Sequence, residues 1–345
     1  MAMNQKGVAL LMVLWILMLL SVITGEFCYS MRVQANITRN FKDASGSYYI
    51  ALAGMQHSIT ELVKWEVAPR AVEKLNETEN GAASSVWRSN VEIPPVDFAD
   101  GSYTVRIDNL GGRVNINRAD ERLLNRMLAD SGLDELEMET IVDSILDWRD
   151  RDSFHRNNGA EDDYYKSLPE PYDCRNGSFE SVYELLRVRG VSRELFYRRL
   201  VHVATVYPAK AYDMDKERKD DFAKYNFNRV NINAAPDVLL LLLPEMTEDL
   251  VSQIKQFRRQ KDIASTSELR NILGPGVYKE VIRYVTFSDL PYYRIASTGQ
   301  IKGSQAREII SVIVDVDTLY RSKYRIVHWQ DGVDRRRYDL PEGAA

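Results

Sequence analysis

The sequence contains little cysteine, no excess of basic residues and no familiar nucleotide-binding motif. Its 345 residues include two cysteines, Cys28 and Cys174, too few for a disulfide-stabilised scaffold. Lys and Arg number 45 against 50 Asp and Glu, and a net charge of -5 argues against nucleic acid as the main partner. No Gly-x-x-x-x-Gly-Lys or Gly-x-Gly-x-x-Gly element is present and the four histidines are scattered, so we do not expect an enzyme.

The N-terminal region contains a long apolar run. Apolar residues extend almost without interruption from Val8 to Ile23, and Lys6 precedes them. The run is slightly shorter than the roughly 20 residues of a spanning helix, but it can be extended as far as Gly25. Lys6 lies in the short segment on the N-terminal side of the run, and this positive charge predicts a cytoplasmic N-terminus. The alternative is a secretory signal peptide, although no typical cleavage site follows the run.

Helical periodicity continues beyond the apolar run. Between Phe27 and Trp65 there is no proline. Apolar residues recur there at helical spacing, namely Phe41, Tyr48, Leu52, Met55, Ile59 and Leu62. We therefore predict one helix, much longer than usual, that leads from the membrane into a soluble domain and ends before Pro69.

The leader ending in Lys6-Gly7, the apolar run that starts at Val8 and the long helix together resemble a type IV prepilin or pseudopilin. The resemblance implies that a prepilin peptidase cuts between Gly7 and Val8, and that Val8 becomes the methylated first residue. Most pilins carry Glu at the fifth mature position, where it pairs with the amine of the subunit above, whereas this chain has Met12. A subunit at the filament tip has no such amine above it, so Met12 points to a minor pseudopilin at the tip.

A repeated element indicates two related helical modules. Val-Asn-Ile-Asn-x-Ala occurs at 114–119 and again at 230–235, followed each time by a Leu-rich segment. The element resembles helix-hairpin-helix modules, many of which bind DNA through glycine-rich hairpins. The hairpin positions here carry acidic residues, among them Asp130 and Glu245, which repel phosphate. We therefore expect protein–protein scaffolds and no nucleic acid.

Strand-like segments flank the modules. Ser102–Ile107 alternates like a half-buried strand, and three β-rich stretches follow Pro291. A long helix on a sheet with a large helical insertion resembles the type II secretion minor pseudopilin K family. The resemblance implies an α+β fold, with a pilin-like helix packed on an antiparallel β-sheet and an α-helical insertion of two helix-hairpin-helix-like (SAM-like) modules.

The predicted organisation places the boundaries in loop-rich or compositionally distinct segments. It comprises a leader at 1–7, a transmembrane helix at 8–25, the first part of a pilin-like body at 26–112, the helical insertion at 113–288 with modules at about 113–206 and 229–288, and the C-terminal strands of the body at 289–345.

Four carboxylates form a candidate metal site. Asp150, Asp152, Glu161 and Asp162 lie close together in the sequence, around a turn that contains Gly159. Hard cations such as Ca²⁺ require several oxygen ligands on a loop that can surround them. The alternative is a solvated acidic loop with surface ion pairs. The K-family resemblance implies calcium in this insertion, so we expect a structural Ca²⁺ at these four residues.

The K-family resemblance also implies the function. It implies a non-enzymatic minor pseudopilin of the inner membrane, single-pass, with its body in the periplasm. Such a protein caps the pseudopilus tip and helps to start its assembly with I- and J-type minor pseudopilins, for export of folded proteins across the outer membrane. Prepilin peptidase and inner-membrane lipid are the other expected partners. The alternatives are a minor pilin of a type IV pilus and a membrane-anchored helix-hairpin-helix DNA-uptake protein.

Overall fold

The computed structural model describes residues 5–67, 87–208, 225–317 and 323–332. The helices are α1 (Gln5–Val67), α2 (Glu121–Leu128), α3 (Glu135–Arg149), α4 (Asp162–Lys166), α5 (the consecutive pieces Arg193–Leu195, Phe196–Leu200 and Val201–Val203), α6 (Asp237–Leu241), α7 (Glu248–Gln260) and α8 (Thr266–Val281). The strands are β1 (Val96–Phe98), β2 (Gly101–Asn109), β3 (Val114–Asn115), β4 (Ala204–Thr205), β5 (Val230–Asn231), β6 (Val285–Thr286), β7 (Tyr292–Ile301), β8 (Arg307–Asp317) and β9 (Lys323–Asp331).

The helix α1 runs through 63 residues and confirms the predicted long N-terminal helix. Residues 9–42 of this helix are exposed, so Phe41 contacts no core although it continues the apolar periodicity. Beyond them one face is buried, because side chains three or four positions apart point in similar directions. The buried side chains on this face are Ser47, Ile50, Ala51, Met55, Ser58, Ile59 and Leu62. The sequence predicts that the helix ends before Pro69. This proline lies outside the described residues.

The buried face of α1 packs on a five-stranded antiparallel sheet. The strand order is β1-β2-β7-β8-β9, and α1 contacts β2, β7 and β8. Gly299 in β7 is needed for this packing. A side-chain carbon at Gly299 would overlap the carbonyl oxygen of Ser47 and the amide nitrogen of Ala51, so only glycine lets the helix backbone approach the strand this closely.

The chain between β2 and β7 forms the helical region, in which two modules have the same topology. In the first module β3 pairs in parallel with β4, and in the second β5 pairs in parallel with β6. The predicted fold class is therefore confirmed: a long helix on an antiparallel sheet, with a helical region inserted between two neighbouring strands. The residue boundaries of the predicted domains stay a prediction.

The repeated sequence element makes the same hydrogen bonds in both modules. In the first, Asn117 Nδ2 donates to the carbonyl oxygen of Phe179 (3.0 Å) and Asn117 Oδ1 accepts from the Phe179 amide (2.7 Å). In the second, Asn233 makes the same two bonds with Ile263, at 3.0 and 2.8 Å. The second asparagine of Val-Asn-Ile-Asn thus fixes a distant segment of backbone in each copy.

The two modules differ in the length of chain that these asparagines enclose. The bonded partners are 62 positions apart in the first module and 30 in the second. The extra chain of the first module includes the whole acidic segment between α3 and Phe179. The candidate metal residues therefore lie in an elaboration of one copy of a duplicated scaffold.

Arg88 connects the helical region to the segment that precedes the sheet. Its side chain is 7% exposed, and its Nη1 lies 3.2 Å from Asp262 Oδ1. Its Nη2 is 3.4–3.5 Å from the carbonyl oxygens of Arg258, Arg259 and Gln260, the last residues of α7. A positive charge is favourable there because the C-terminus of a helix carries partial negative charge.

Candidate functional site

The acidic segment folds back onto the C-terminal end of α3 through Arg156. Arg156 Nη1 lies 2.6 Å from Asp147 Oδ1 and 2.9 Å from Asp150 Oδ2, and the Arg156 amide donates to Asp147 Oδ2 at 3.1 Å. The side chain of Asp147 is fully buried. Gly159 packs directly on this carboxylate, where a side-chain carbon would overlap Asp147 Oδ2. The loop therefore closes tightly over the end of α3.

Glu161 is a buried carboxylate of the segment that lacks nitrogen and oxygen hydrogen-bond donors among the described residues. It directly precedes α4 and is 2% exposed. Both carboxylate oxygens are buried, and no nitrogen or oxygen donor in the described ranges bonds to them. Burial raises the pKa of Glu161 to about 7, and the charges of Asp147, Asp150 and Asp152 add to the shift, while a contact with the Cys174 thiol opposes it. Burial also raises the pKa of the Cys174 thiol to about 12, so the thiol keeps its proton.

Two of the predicted ligands lie close to Glu161. Asp150 and Asp152 both act on its carboxylate electrostatically. Asp150 uses Oδ2 for Arg156, while its Oδ1 is buried and lacks a hydrogen-bond partner within the part of the chain that the structure describes. Asp152 Oδ1 accepts from the amide of Phe154 at 3.0 Å. The structure thus places Asp150 and Asp152 within electrostatic range of Glu161, and their joint role as metal ligands stays a prediction.

Asp162 has a different environment. Its Oδ1 accepts from the Cys174 amide and its Oδ2 from Lys166 Nζ, both at 2.7 Å. The bond from Lys166, followed by that from Cys174, lowers the pKa of Asp162. Since both oxygens already have donors, Asp162 must exchange at least one of them to bind a metal, and its role as a ligand stays a prediction. Asp147, which sequence reasoning missed, belongs to the cluster instead; its spacing from Asp150 at a helix end was the available signal.

The acidic residues supply oxygen ligands of the kind that hard cations prefer, but they do not converge on one position. Over the described residues, no three His, Cys, Asp or Glu side chains are already arranged around one metal position. Three buried carboxylate oxygens, both of Glu161 and one of Asp150, nevertheless have no nitrogen or oxygen donor among the described residues, which is costly when these carboxylates are ionised. Ca²⁺ takes about six to eight oxygen ligands in flexible geometry, which suits carboxylates on a loop. Asp150, Asp152 and Glu161 are the residues that would hold it.

The predicted processing site lies at the start of α1. Both Gly7 and Val8 are within this helix, whereas residues 1–4 of the leader lie outside the described residues. From Ala9 the helix is long and apolar enough to cross a membrane by length and composition. These features fit a membrane anchor near the N-terminus. Cleavage between Gly7 and Val8 stays a prediction.

Two acidic residues occupy turn positions where a phosphate-binding hairpin has glycine. Asp130 has a φ of 55° and Glu245 a φ of 57°. Both are in the left-handed conformation that glycine adopts most easily, so the hairpin backbone is retained with a carboxylate side chain. This chemistry is unfavourable for a phosphate, and the absence of a nucleic-acid partner stays a prediction.

Comparison with known proteins gives the family. Residues 106–209 match the family model described as type II secretion system (T2SS), protein K. The type II secretion system protein K of Aeromonas hydrophila is 27% identical over 278 residues, which cover 75% of this chain and 77% of that protein. The chain is therefore similar to the type II secretion system protein K family over most of its length, which confirms the resemblance predicted from the sequence.

Other K-family proteins match shorter parts of the chain. The protein of Pectobacterium carotovorum is 32% identical over 38% of this chain and 37% of its own length. That of Pseudomonas aeruginosa is 27% identical over 60% of this chain and 64% of its own length. The K family is a structural pseudopilin component of the secretion system. The stretch at 106–209 that matches its family model contains the first module and the entire acidic segment.

A solved structure shares the fold. A chain in the crystal structure of the GspK-GspI-GspJ complex from the enterotoxigenic Escherichia coli type 2 secretion system superposes with a TM-score of 0.52. The match covers 88% of this chain and 100% of that one, at 14% sequence identity. The K-family fold therefore extends over nearly all of the chain, including α1, the sheet and the helical region.

Proposed function

We propose that this K-family pseudopilin caps the tip of the periplasmic pseudopilus and helps to initiate its assembly with I- and J-type minor pseudopilins. The observation that carries the proposal is the helical region between β2 and β7, which adds two modules to a pilin-like helix and sheet. A body of this bulk obstructs a further subunit stacked above it. The solved complex of GspK with GspI and GspJ, which contains a chain of the same fold, supports partners of these two types.

The membrane segment is consistent with a terminal position. Met12 is 63% exposed on α1 and offers no carboxylate to the N-terminal amine of a subunit above. In this proposal prepilin peptidase removes residues 1–7, and α1 anchors the protein as a single pass in the inner membrane with its body in the periplasm. Inner-membrane lipid surrounds the apolar part of α1 before assembly.

The position in the filament is tested by counting and locating the protein. Full-length protein purified in detergent with the I- and J-type pseudopilins is expected to form one complex with both. Labelled protein in isolated pseudopili is expected at one end only, and its deletion should reduce the number of pseudopili. Label distributed along the filament, or a protein that remains monomeric in the mixture, contradicts the tip position.

Processing is tested by the intact mass of protein extracted from membranes. With prepilin peptidase present, the mass should fall by that of residues 1–7 and Val8 should become the first residue. The variant Gly7→Val is the matched control and should stay uncut. A wild-type chain that keeps its leader in the presence of the peptidase contradicts this part of the proposal.

We further propose that the acidic segment binds a structural Ca²⁺ through Asp150, Asp152 and Glu161, and that Asp162 joins them after releasing Lys166. The orphaned oxygens of Glu161 support this site. When bound, the ion supplies the positive charge that these buried oxygens lack. Asp150, Asp152 and Glu161 would then hold the loop against the end of α3.

Calcium binding is tested by thermal unfolding of the full-length protein in detergent, first with EDTA and then with millimolar calcium. Sites of the weak extracellular type have dissociation constants on the order of 0.1–1 mM, so millimolar calcium should raise the unfolding temperature of the wild type. The variant Glu161→Gln should lose this increase, whereas Glu268→Gln, a carboxylate in the second module, should retain it. An unchanged wild-type unfolding temperature contradicts the calcium site.

A further inference from the structure

The two modules can be compared residue by residue, because their repeated elements correspond at a fixed offset. Val114 and Val230 begin the two copies of the element, 116 positions apart. The same offset relates Asp120 and Pro236, the N-caps of α2 and α6. Each residue from the start of the first element to the end of α2 therefore has a counterpart in the second module. These counterparts show how the modules are oriented relative to each other.

The contacts at the repeated elements are reciprocal. Gly112 packs on the backbone of Ala234 and Ala235, where a side-chain carbon would overlap the carbonyl group of Ala234. Its counterpart Asn228 contacts the matching part of the first module, because Asn228 Oδ1 accepts a hydrogen bond from the Asp120 amide at 2.7 Å. In both directions, the residue before one element meets the end of the other element.

The helices that follow the elements repeat this reciprocity. In the first module, the Arg122 guanidinium of α2 lies 5.0 Å from the ring centroid of Tyr284, which directly precedes β6. In the second module, α6 contacts the last piece of α5, Val201–Val203, which directly precedes β4. Since β4 and β6 are counterparts, each of the two helices reaches the residues before the other module's strand.

One contact joins a residue to its own counterpart. Arg126 Nε donates a hydrogen bond to the carbonyl oxygen of Leu242, and these residues are again 116 positions apart. Two different surfaces meet in a head-to-tail arrangement, whereas the same surface meets itself around a two-fold axis. The reciprocal contacts and this bond place a pseudo-two-fold axis between the modules, beside Arg126 and Leu242. The buried apolar side chains of both modules form one continuous core.

We propose that the helical region is an internal dimer, whose two modules open and unfold as one unit across this pseudo-two-fold interface. Two copies fully use a self-complementary surface, so each module covers the docking face of the other. Separation of the modules would expose apolar side chains of the shared core to water, which is costly. A partner that binds one module therefore stabilises both. This inference depends neither on the tip position nor on calcium.

Two independent domains predict a different response. Interfaces between the domains of one chain are often small and polar, and such domains move separately. A substitution that destabilises one module would then increase hydrogen exchange in that module alone. In an internal dimer the same substitution increases exchange in both modules, because their amides become exposed in the same opening.

The experiment measures amide hydrogen exchange by mass spectrometry in the full-length protein in detergent. Exchange in α3 reports on the first module and exchange in α7 on the second. The variant Asn233→Ala removes two hydrogen bonds within the second module. We expect exchange to accelerate by the same factor in both helices, about 30-fold for a loss of about 2 kcal/mol. Acceleration confined to α7 overturns the proposal.

Interface variants test whether the coupling passes through this surface. When Arg122→Ala and Arg126→Ala are both present, Asn233→Ala should accelerate exchange in α7 much more than in α3. Arg198→Ala is the matched control and should retain equal factors, because Arg198 pairs with Glu194 at an exposed position of α5. Equal factors in the interface variant contradict the proposal. If that variant does not fold, Arg122→Ala alone should reduce the factor for α3, and an unreduced factor contradicts the proposal equally.

Discussion

Without a bound cation, Glu161 should make the protein less stable as the pH rises. Its pKa lies near 7 in the folded protein, against an ordinary value of 4.5, mainly because of burial. Between these values the unfolded chain releases the proton that the folded protein retains, so the free energy of unfolding falls with increasing pH. A shift of this size corresponds to about 3 kcal/mol, present below about pH 4.5 and lost by about pH 7.

The assay follows chemical unfolding of the full-length protein in detergent and EDTA at about pH 5 and pH 8. The ring centroids of Trp148 and Tyr165 are 5.1 Å apart, so the fluorescence of Trp148 is sensitive to unfolding of this module. Wild type should lose about 2.5 kcal/mol between the two pH values, because a small part of the total is already lost at pH 5, and Glu161→Gln should lose much less because it cannot ionise. Glu268→Gln is the control, since the bond from Lys261 lowers the pKa of Glu268 and its titration lies below this pH range.

Other groups also titrate in this range, so the informative quantity is the difference between wild type and variant. Burial and the charge of Arg113 lower the pKa of His202, and this shift stabilises the protein as the pH rises through about 6.5, the opposite direction. A pH dependence that is identical in wild type and Glu161→Gln refutes the reasoning. Saturating calcium should abolish the difference, because the ion holds the carboxylate in its ionised form.

Three further predictions concern the scaffold, each measured as the urea midpoint of the full-length protein. Arg88→Met removes a guanidinium that bonds to a carboxylate and to the last carbonyls of α7, and should cost about 2 kcal/mol; an unchanged midpoint would show that this contact is not maintained in solution. Gly299→Ala forces a methyl group into the α1 backbone and should cost about 1–3 kcal/mol, whereas Gly25→Ala, with open space around it, should not destabilise. Asn233→Ala should cost about 2 kcal/mol, and Asn117→Ala at least as much, because Asn117 makes the same two bonds and a third to the carbonyl oxygen of Val206 (3.2 Å); a smaller cost for Asn117→Ala contradicts this reasoning.

The parts of the fold that could be predicted have a local sequence signal. The periodicity from Phe27 to Leu62 predicts α1, because apolar side chains recur there at helical spacing. The second copy of Val-Asn-Ile-Asn reports the duplication in the same direct way. The bonds of Asn117 could not be predicted, because its partner is 62 positions away and contributes only backbone atoms.

The candidate site shows the same limit at the level of single carboxylates. The sequence provides the acidic residues but not their burial, so it does not single out Asp147 and does not distinguish the buried Glu161 from Asp162. The bond between Asp162 and Lys166 joins residues four positions apart on one helix and was accessible to sequence reasoning. The contact of Arg156 with Asp147 depends on how the loop closes over Gly159, and only the folded structure shows it.

The continuity of α1 has a mechanical consequence. Residues 26–42 form an exposed helical stretch of about 25 Å between the apolar segment and the sheet. This stretch contains neither proline nor glycine, so it offers no natural hinge. A push or a rotation applied to the apolar segment is therefore transmitted to the sheet as motion of one rod. With α1 as the membrane anchor proposed above, the body moves with its anchor at a constant height above the bilayer.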